Sequence, residues 1–354
     1  MSKRKEKDVP MTCVKRVESL RRYPIECGRD MAHTCLIELI KQRSSSAPIK
    51  VAVVTDKEVN GLHHTGFISE LEMRNIAPTV IQIDGRQSSK NFDVVMQVFE
   101  RLMDISFTPD DLLVGWGGGS ILDVTAFVAS TFLGGLTYCL IPTTLMSMLE
   151  SAEADTSYLN YMSHKDCVSV KCDPIAVYMD VNFLPTVPEH FMKNGYAQII
   201  RYAMLDQITL LNRLVTKADM FITIDECYLA KARIREQDPC AFDFGKEIKE
   251  AILEHFRFLR YSEGEALAFA VAAMNPSEAL FRLYDMLGFP RKLEGVSKES
   301  LLRRIMKNLA PFKDDVTVIS ARGNGTIEKL KMTQAEALLF FSEKLDVICD
   351  LHGN

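Results

Sequence analysis

Several absences narrow the function of this chain before any motif is read. No apolar run approaches the roughly 20 residues of a membrane-spanning helix, because glycine, proline or a charge interrupts each one. The opening MSKRKEKDVP is charged and no apolar segment follows it, so 1–10 reads as a basic, disordered tail and no secretory leader is expected. Positive charge is not in excess: 42 Lys and Arg face 47 Asp and Glu, a net charge of −5, which gives nucleic acid no electrostatic foothold. Seven histidines form no HxxxH or HExxH, and nine cysteines form no CxxC, so no zinc signature is visible. An odd number of scattered thiols fits a reducing compartment better than a disulfide framework. Internal repeats and low-complexity segments are missing as well. A cytoplasmic protein with neither membrane nor nucleic-acid partner is expected.

What is present is a chain of 354 residues, long enough for two domains with real cores. It is organised around 112–144. A strand over 112–114 runs into Gly117, Gly118 and Gly119, and Ser120 is placed to cap a helix whose first turn carries Asp123. A glycine turn lets backbone approach a ligand, and a helix start presents N–H groups and a positive dipole end to an anion such as pyrophosphate. A tight βα turn that binds nothing is the equal alternative. A second strand over 137–141 ends in Pro142-Thr143-Thr144, which sets two hydroxyls at the carboxyl edge of the sheet, where α/β proteins hold ligands.

Around this centre the pattern predicts a hairpin over 12–18 and 23–26, strands over 50–55, 79–83 and 172–180, and helices over 30–43, 59–74 and 92–105. Alternating strands and helices imply a parallel sheet. From 188 onward the period is helical, most clearly over 197–215, 225–237, 244–258, 265–287 and 297–308, with a small hairpin at 316–319 and 326–331. The cut falls near 184.

Further pieces recur in a characteristic order. Asp84-Gly85-Arg86, with Lys90 displaced by about a residue, follows a D-G-E-x-x-K element, 117–123 a GGG-x-x-x-D turn and 142–144 a PTT element. The block DSS-x-GGKT-x-x-N-x-x-x-GKN lies without a gap on 150–166. Leu184-Pro185-Thr186 follows, then 195–202 for GLAEVIKY, Phe244-Gly245 for NFGH and Gly264-Glu265-Ala266 for HGEA. Together these residues resemble 3-dehydroquinate synthase and the related sugar phosphate cyclases over nearly the whole chain.

The resemblance implies an α/β fold with a Rossmann-like parallel-sheet NAD-binding domain at 11–183, an all-α substrate domain at 184–354, an active site between them and a homodimer. In that family NAD+ transiently oxidises a hydroxyl of a seven-carbon sugar phosphate, phosphate is eliminated, the ketone is reduced again and the opened sugar closes by an aldol step. The cofactor residues carried over are Asp84, Lys90, Gly117, Gly118, Gly119, Asp123, Thr143, Thr144, Lys165 and Thr186. The catalytic set is Glu150, Asn160, Lys165, Arg201, Lys246 and Glu263.

Some positions depart from the family. Its metal glutamate falls on Gln198 and its two metal histidines on Lys246 and Glu263; an amide and an ammonium are poor zinc ligands, so the divalent metal is expected to be absent. Lys246, with Glu250 a helical turn on and Glu263, is expected to replace the metal's charge by an ion pair. The family's GGKT lysine falls on Thr156 and the arginine preceding its PTT strand on Gly134, while Arg201 keeps a charge where lysine is usual. Arg86 stands for a glutamate and Asp166 for an asparagine; an arginine beside the ribose would admit NADP, and a solvated surface arginine is the alternative. Two other functions stay open: a paralogue without catalysis that keeps a nucleotide-binding or subunit role, and an NAD(P)-dependent polyol dehydrogenase of the glycerol dehydrogenase type, which shares the glycine turn and PTT.

Remaining features take plain readings. His63-His64 reads as a solvated helix start, Cys167 and Cys172 as idle thiols, Met96, Met103, Met146 and Met148 as core filling, and Lys231, Arg233 and Arg235 as an exposed charged face.

Overall fold

The structure, a computed structural model, describes residues 14–349 apart from 20, 46, 163 and 313–315. The expected tail at 1–10 and the start of the first expected strand lie outside the described residues. Two compact units are present, Met1–Val187 and Pro188–Asn354.

The first unit runs β1 (Lys15–Arg16), β2 (Ile25–Gly28), α1 (Ala32–Arg43), β3 (Val51–Asp56), α2 (Lys57–Glu72), β4 (Thr79–Ile83), α3 (Phe92–Asp104), β5 (Leu112–Gly117), α4 (Gly119–Thr131), β6 (Thr137–Pro142), α5 (Leu145–Leu149), β7 (Thr156–Tyr161), β8 (His164–Lys171) and β9 (Ala176–Asp180). Seven strands form one sheet in the order β1-β2-β9-β6-β5-β3-β4, parallel except for the antiparallel β1–β2 pair. β5 lies inside the sheet and is buried along its whole length. Its side chains divide by parity. Gly117 presents no Cβ to α4, where one would lie 2.7 Å from Ile121 Cγ1, so the helix packs directly on the strand. Trp116 faces the other way, onto Phe67 at 4.3 Å and Phe183 at 6.2 Å between ring centroids, in a core with Met31, Leu36, Ile68 and Tyr178.

Asp180, at the end of β9, caps a helix far from it in sequence. Its carboxylate accepts the N–H groups of Asp30, Met31 and Ala32 at 3.0, 2.7 and 3.1 Å, while the α1 N-cap residue Met31 offers no side-chain cap of its own.

β7 and β8 form a separate hairpin that the pattern did not predict. Its outer strand alternates half-exposed and exposed residues with little aliphatic content, so the usual strand signal is weak.

The second unit holds α6 (Glu189–Leu205), α7 (Leu211–Val215), α8 (Met220–Gln237), α9 (Lys246–His255), α10 (Glu263–Met274), α11 (Glu278–Leu287), α12 (Lys298–Leu309), the hairpin β10 (Val316–Ala321) with β11 (Ile327–Met332), and α13 (Gln334–Leu345). The helix expected over 197–215 starts earlier and stops at Leu205, where Asp206 leaves helical geometry and takes Arg233 Nη2 at 2.6 Å. The helix expected over 265–287 is two helices: Pro276 cannot donate to the ladder, and Ser277 caps the second by accepting from Leu280 N–H at 3.2 Å. α13 was not foreseen, although its capping box of Thr333 and Glu336 is legible in the sequence. Among the described residues no helix is long and apolar enough to cross a membrane.

Candidate functional site

At the carboxyl edge of the sheet, β5 ends on Gly117 and α4 begins at Gly119. Gly118, extended at φ −73° and ψ 177°, is the N-cap and supplies no side-chain acceptor. The expected Ser120 cap is therefore wrong by two positions: Ser120 lies inside the first turn, and its hydroxyl reaches Gln87 Oε1 at 3.4 Å. Asp123 falls beyond the first turn. The leading N–H groups of α4 thus receive no side-chain cap and remain suited to an anion. Beside them Thr143 N–H donates to Gly117 O at 3.0 Å, and its hydroxyl, on a side chain 3% exposed, has no hydrogen-bond partner among the described residues. Thr144 caps α5 in a reciprocal box with Ser147. An uncapped helix start beside an unsatisfied hydroxyl fits the phosphates of a dinucleotide.

A second group lies beside this edge. Lys90, 4% exposed, sets Nζ 2.6 Å from Asp123 Oδ2 and 2.8 Å from Asp166 Oδ1. Burial disfavours the ammonium, but the two carboxylates more than offset it and hold Lys90 above its ordinary pKa. Lys165 Nζ is 3.7 Å from Asp166 Oδ2. Both ends of the Asn160 amide are engaged: Nδ2 donates to Gln87 O at 2.8 Å and Oδ1 accepts Asp166 N–H at 3.0 Å. Asp166, in left-handed geometry at φ 50°, is thereby fixed opposite the β7 irregularity. Three distant motifs are brought together here: Lys90, Asp123, and the block that carries Asn160, Lys165 and Asp166.

Toward the β4 end, Asp84 takes the Arg86 guanidinium through Nε at 2.7 Å and through Nη2, which holds Asp84 below the usual carboxylate range. Behind Gly85 stands Asp56, pushed up by burial. Thr186 donates to Phe183 O at 2.8 Å and meets His63 Nε2 at 2.8 Å. His63 is thus half-buried, with its ring engaged by Thr186. Glu150 closes α5, its N–H donating to Met146 O at 2.9 Å.

In the second unit Arg201, 7% exposed on α6, donates to Phe242 O at 2.9 Å and shares a cavity of about 130 Å³ with Asp243, Lys246, Lys249 and Glu250. Lys246 opens α9 and pairs with Asp243 at 3.5 Å. Glu263 opens a different helix, α10, beyond the Ser262 cap. Burial works against the Lys246 ammonium, yet Asp243 and Glu250 more than offset it and hold its pKa high. Glu247, not foreseen, is pushed up to about 7, chiefly by burial. Lys231 is not on an exposed face either: it is 2% exposed, with Nζ 4.8 Å from the centre of the Tyr228 ring. Among the described residues no three His, Cys, Asp or Glu side chains converge as metal ligands, and Gln198 and Lys246 offer a divalent cation an amide and a positive charge. The donor set does not fit such a metal.

The raised Glu247 pKa carries a sign. A carboxyl whose folded pKa exceeds its unfolded value costs stability as pH rises from about 4 to about 7. Glu247→Gln is therefore expected to melt about 2 °C above the unaltered protein at pH 8 and level with it at pH 4, read by calorimetry. An equal Tm at pH 8 would contradict this.

The sequence profile named 3-dehydroquinate synthase N-terminal matches residues 80–194. A 3-dehydroquinate synthase of Prochlorococcus marinus is 23% identical over 337 residues, covering 87% of this chain and 92% of its own. The 2-epi-5-epi-valiolone synthase of Streptomyces hygroscopicus subsp. jinggangensis 5008, solved with NAD+ and Zn2+, superposes with TM-score 0.73 at 18% identity, covering 94% of this chain and all of its own. A 2-deoxy-scyllo-inosose synthase solved with carbaglucose-6-phosphate, NAD+ and Co2+ gives TM-score 0.73 at 17% identity, over 93% of this chain and 99% of that one.

Proposed function

We propose a function on the premise that this chain belongs to the 3-dehydroquinate synthase family: it binds NAD and acts as a sugar phosphate cyclase whose metal position has been rebuilt around a lysine. The observation that carries the reading is the uncapped start of α4 on the glycine turn, with the unsatisfied Thr143 hydroxyl beside it. The backbone of Gly117, Gly118 and Gly119 holds the pyrophosphate, and Thr143 supplies a hydrogen bond to it. Lys90 and Asp123 act one step back, fixing the hairpin that carries Lys165 toward the dinucleotide. Bound NAD supplies a reversible hydride acceptor. NAD is preferred to NADP, because the Arg86 guanidinium is already held by Asp84 and Asp56 stands close behind, so a 2′-phosphate meets carboxylates.

In the second unit Arg201 and Lys246 hold the oxygens of an anionic sugar phosphate, a ligand class matching the carbaglucose-6-phosphate of the solved relative. Glu250, which lines the same cavity, is the carboxyl that moves protons there. No step is assigned to a metal, and the working form is a homodimer.

Titration calorimetry with NAD+ and NADP+, followed by phosphate release from a panel of seven-carbon sugar phosphates with and without chelator, tests this. NAD+ is expected to bind at least about tenfold tighter than NADP+, phosphate release to be insensitive to chelator, and Lys246→Met to lower release about 100-fold with NAD+ affinity unchanged. Stoichiometric zinc or cobalt in the purified protein overturns the rebuilt site. Binding without turnover of any substrate leaves the non-catalytic paralogue, and no binding of either dinucleotide removes the reading altogether.

A further inference from the structure

His63 sits in α2, the helix that follows β3, yet its hydrogen bond is to Thr186, beyond the end of β9. In the sheet β3 and β9 are separated by β5 and β6, so this contact ties two segments together across the ends of the central strands. Beneath it lies an aromatic floor. The His63 ring meets Phe183 edge-on at 4.9 Å, and Phe183 lies 6.2 Å from Trp116, the residue that leads into the glycine turn.

Giving the Thr186 hydroxyl proton to Phe183 O assigns the tautomer. Thr186 Oγ1 donates its proton to Phe183 O at 2.8 Å, so toward His63 it accepts, and the imidazole carries its proton on Nε2. Nδ1 is left as a lone pair, and among the described residues it makes no hydrogen bond. Burial lowers the ring's pKa, with Asp180 opposing, so this lone pair is present at neutral pH. Thr186 Oγ1 keeps a second accepting site. The patch is thus all acceptor, at the edge where α/β sheets hold ligands, over an aromatic ring.

We propose that His63 Nδ1 reads an N–H donor of the bound dinucleotide, the adenine amino group or the nicotinamide carboxamide, and that His63 is a specificity-determining residue of this site. The inference rests on the dinucleotide reading above. It requires a primary amino or amide group on the ligand and assigns the discrimination to one imidazole nitrogen.

The test measures affinity for NAD+, nicotinamide hypoxanthine dinucleotide and 3-acetylpyridine adenine dinucleotide, using the unaltered protein, His63→Gln and His63→Ala. Glutamine can keep the donor to Thr186 while removing the Nδ1 acceptor, so His63→Gln is expected to melt like the unaltered protein without ligand. It is expected to bind NAD+ about 5- to 10-fold more weakly, the span of one net hydrogen bond. The unaltered protein should lose a similar factor with one of the two analogues, and His63→Gln should lose nothing further with that same analogue; which one it is identifies the amino or the amide donor. His63→Ala checks that loss of the Thr186 bond adds instability. If His63→Gln binds NAD+ as tightly as the unaltered protein, or if its loss and the analogue's loss simply add for both analogues, His63 reads neither group and the proposal falls while dinucleotide binding stands. If the unaltered protein binds none of the three, both fall together.

Discussion

Gly264→Ala is expected to lower the melting temperature of the second unit by about 10 °C. Gly264 is the second residue of α10, and a Cβ there would lie 2.4 Å from Asn194 Cα, 2.7 Å from Asn194 Oδ1 and 2.9 Å from Asn194 N. Carbon atoms pack at about 3.5–4.0 Å, so the two helices would have to part by more than about 1 Å. Two of the three colliding atoms are backbone, and no rotamer relieves them. Asn194→Ala removes the Oδ1 contact and leaves the Cα and N collisions, so it is not expected to rescue the variant. The same shift breaks the bond from Gly264 N–H to Asn194 Oδ1 at 2.8 Å and loosens a helix whose Ala266, Ala268, Ala270, Ala272 and Ala273 are all buried. Overpacking of this kind costs about 3–5 kcal/mol where backbone must move, at about 2–4 °C for each. Calorimetry decides it: a Tm within about 2 °C of the unaltered protein would mean that the helices are not this close.

The second large effect is at Lys90. Replacing it with methionine leaves Asp123 and Asp166 facing each other with only the Lys165 ammonium, 3.7 Å from Asp166, beside them, and removing one partner of a buried ion pair costs about 3–5 kcal/mol. The loss depends on pH in a definite direction. Burial holds the Asp123 carboxyl above its usual range and Lys90 opposes this, so without Lys90 it rises further in the folded protein, and the variant gains relative stability as pH falls toward about 4 and is weakest at neutral pH and above. Urea melts at pH 5 and pH 8 should show the smaller deficit at pH 5. Adding Asp123→Asn and Asp166→Asn to Lys90→Met is expected to recover at least half of the loss at pH 8, since the uncompensated charge is then gone. A deficit that does not vary with pH would place the cost in lost packing instead.

The first unit was largely legible because its strands are short, continuous apolar runs between turn residues; β4 falls on 79–83 as expected. What escaped came from contacts distant in sequence or from the backbone itself. Ser120 looked like a cap because a hydroxyl before an apolar run usually is one, but Gly118 had already taken the extended cap conformation two residues earlier. Lys90, Asp123 and the block that holds Asn160 and Lys165 are three separate motifs, and only the fold joins them; Asp166, which engages Lys90, Lys165 and Asn160, stands out in the sequence solely as a substitution. Lys231 was read as exposed because charge usually is, whereas the rings of Tyr228 and Tyr202 give an ammonium a buried place. The sequence sets His63 beside His64 alone, whereas its partner lies 123 positions away. In the second unit the helical period was clear, but the breaks at Asp206 and Pro276 came from an ion pair and a missing donor that period alone does not mark.

The capping of α1 by Asp180 also sets an order of assembly during translation. Asp30 and Asp180 are 150 positions apart, and β2 finds its parallel neighbour only in β9. At about 5–20 residues per second the ribosome takes about 8–30 s to make that stretch. For that time β2 has an open edge and α1 a start without its carboxylate, while β3, β4, β5 and β6 already have one another. Residues 25–43 are therefore made well before the strand and the carboxylate they dock against.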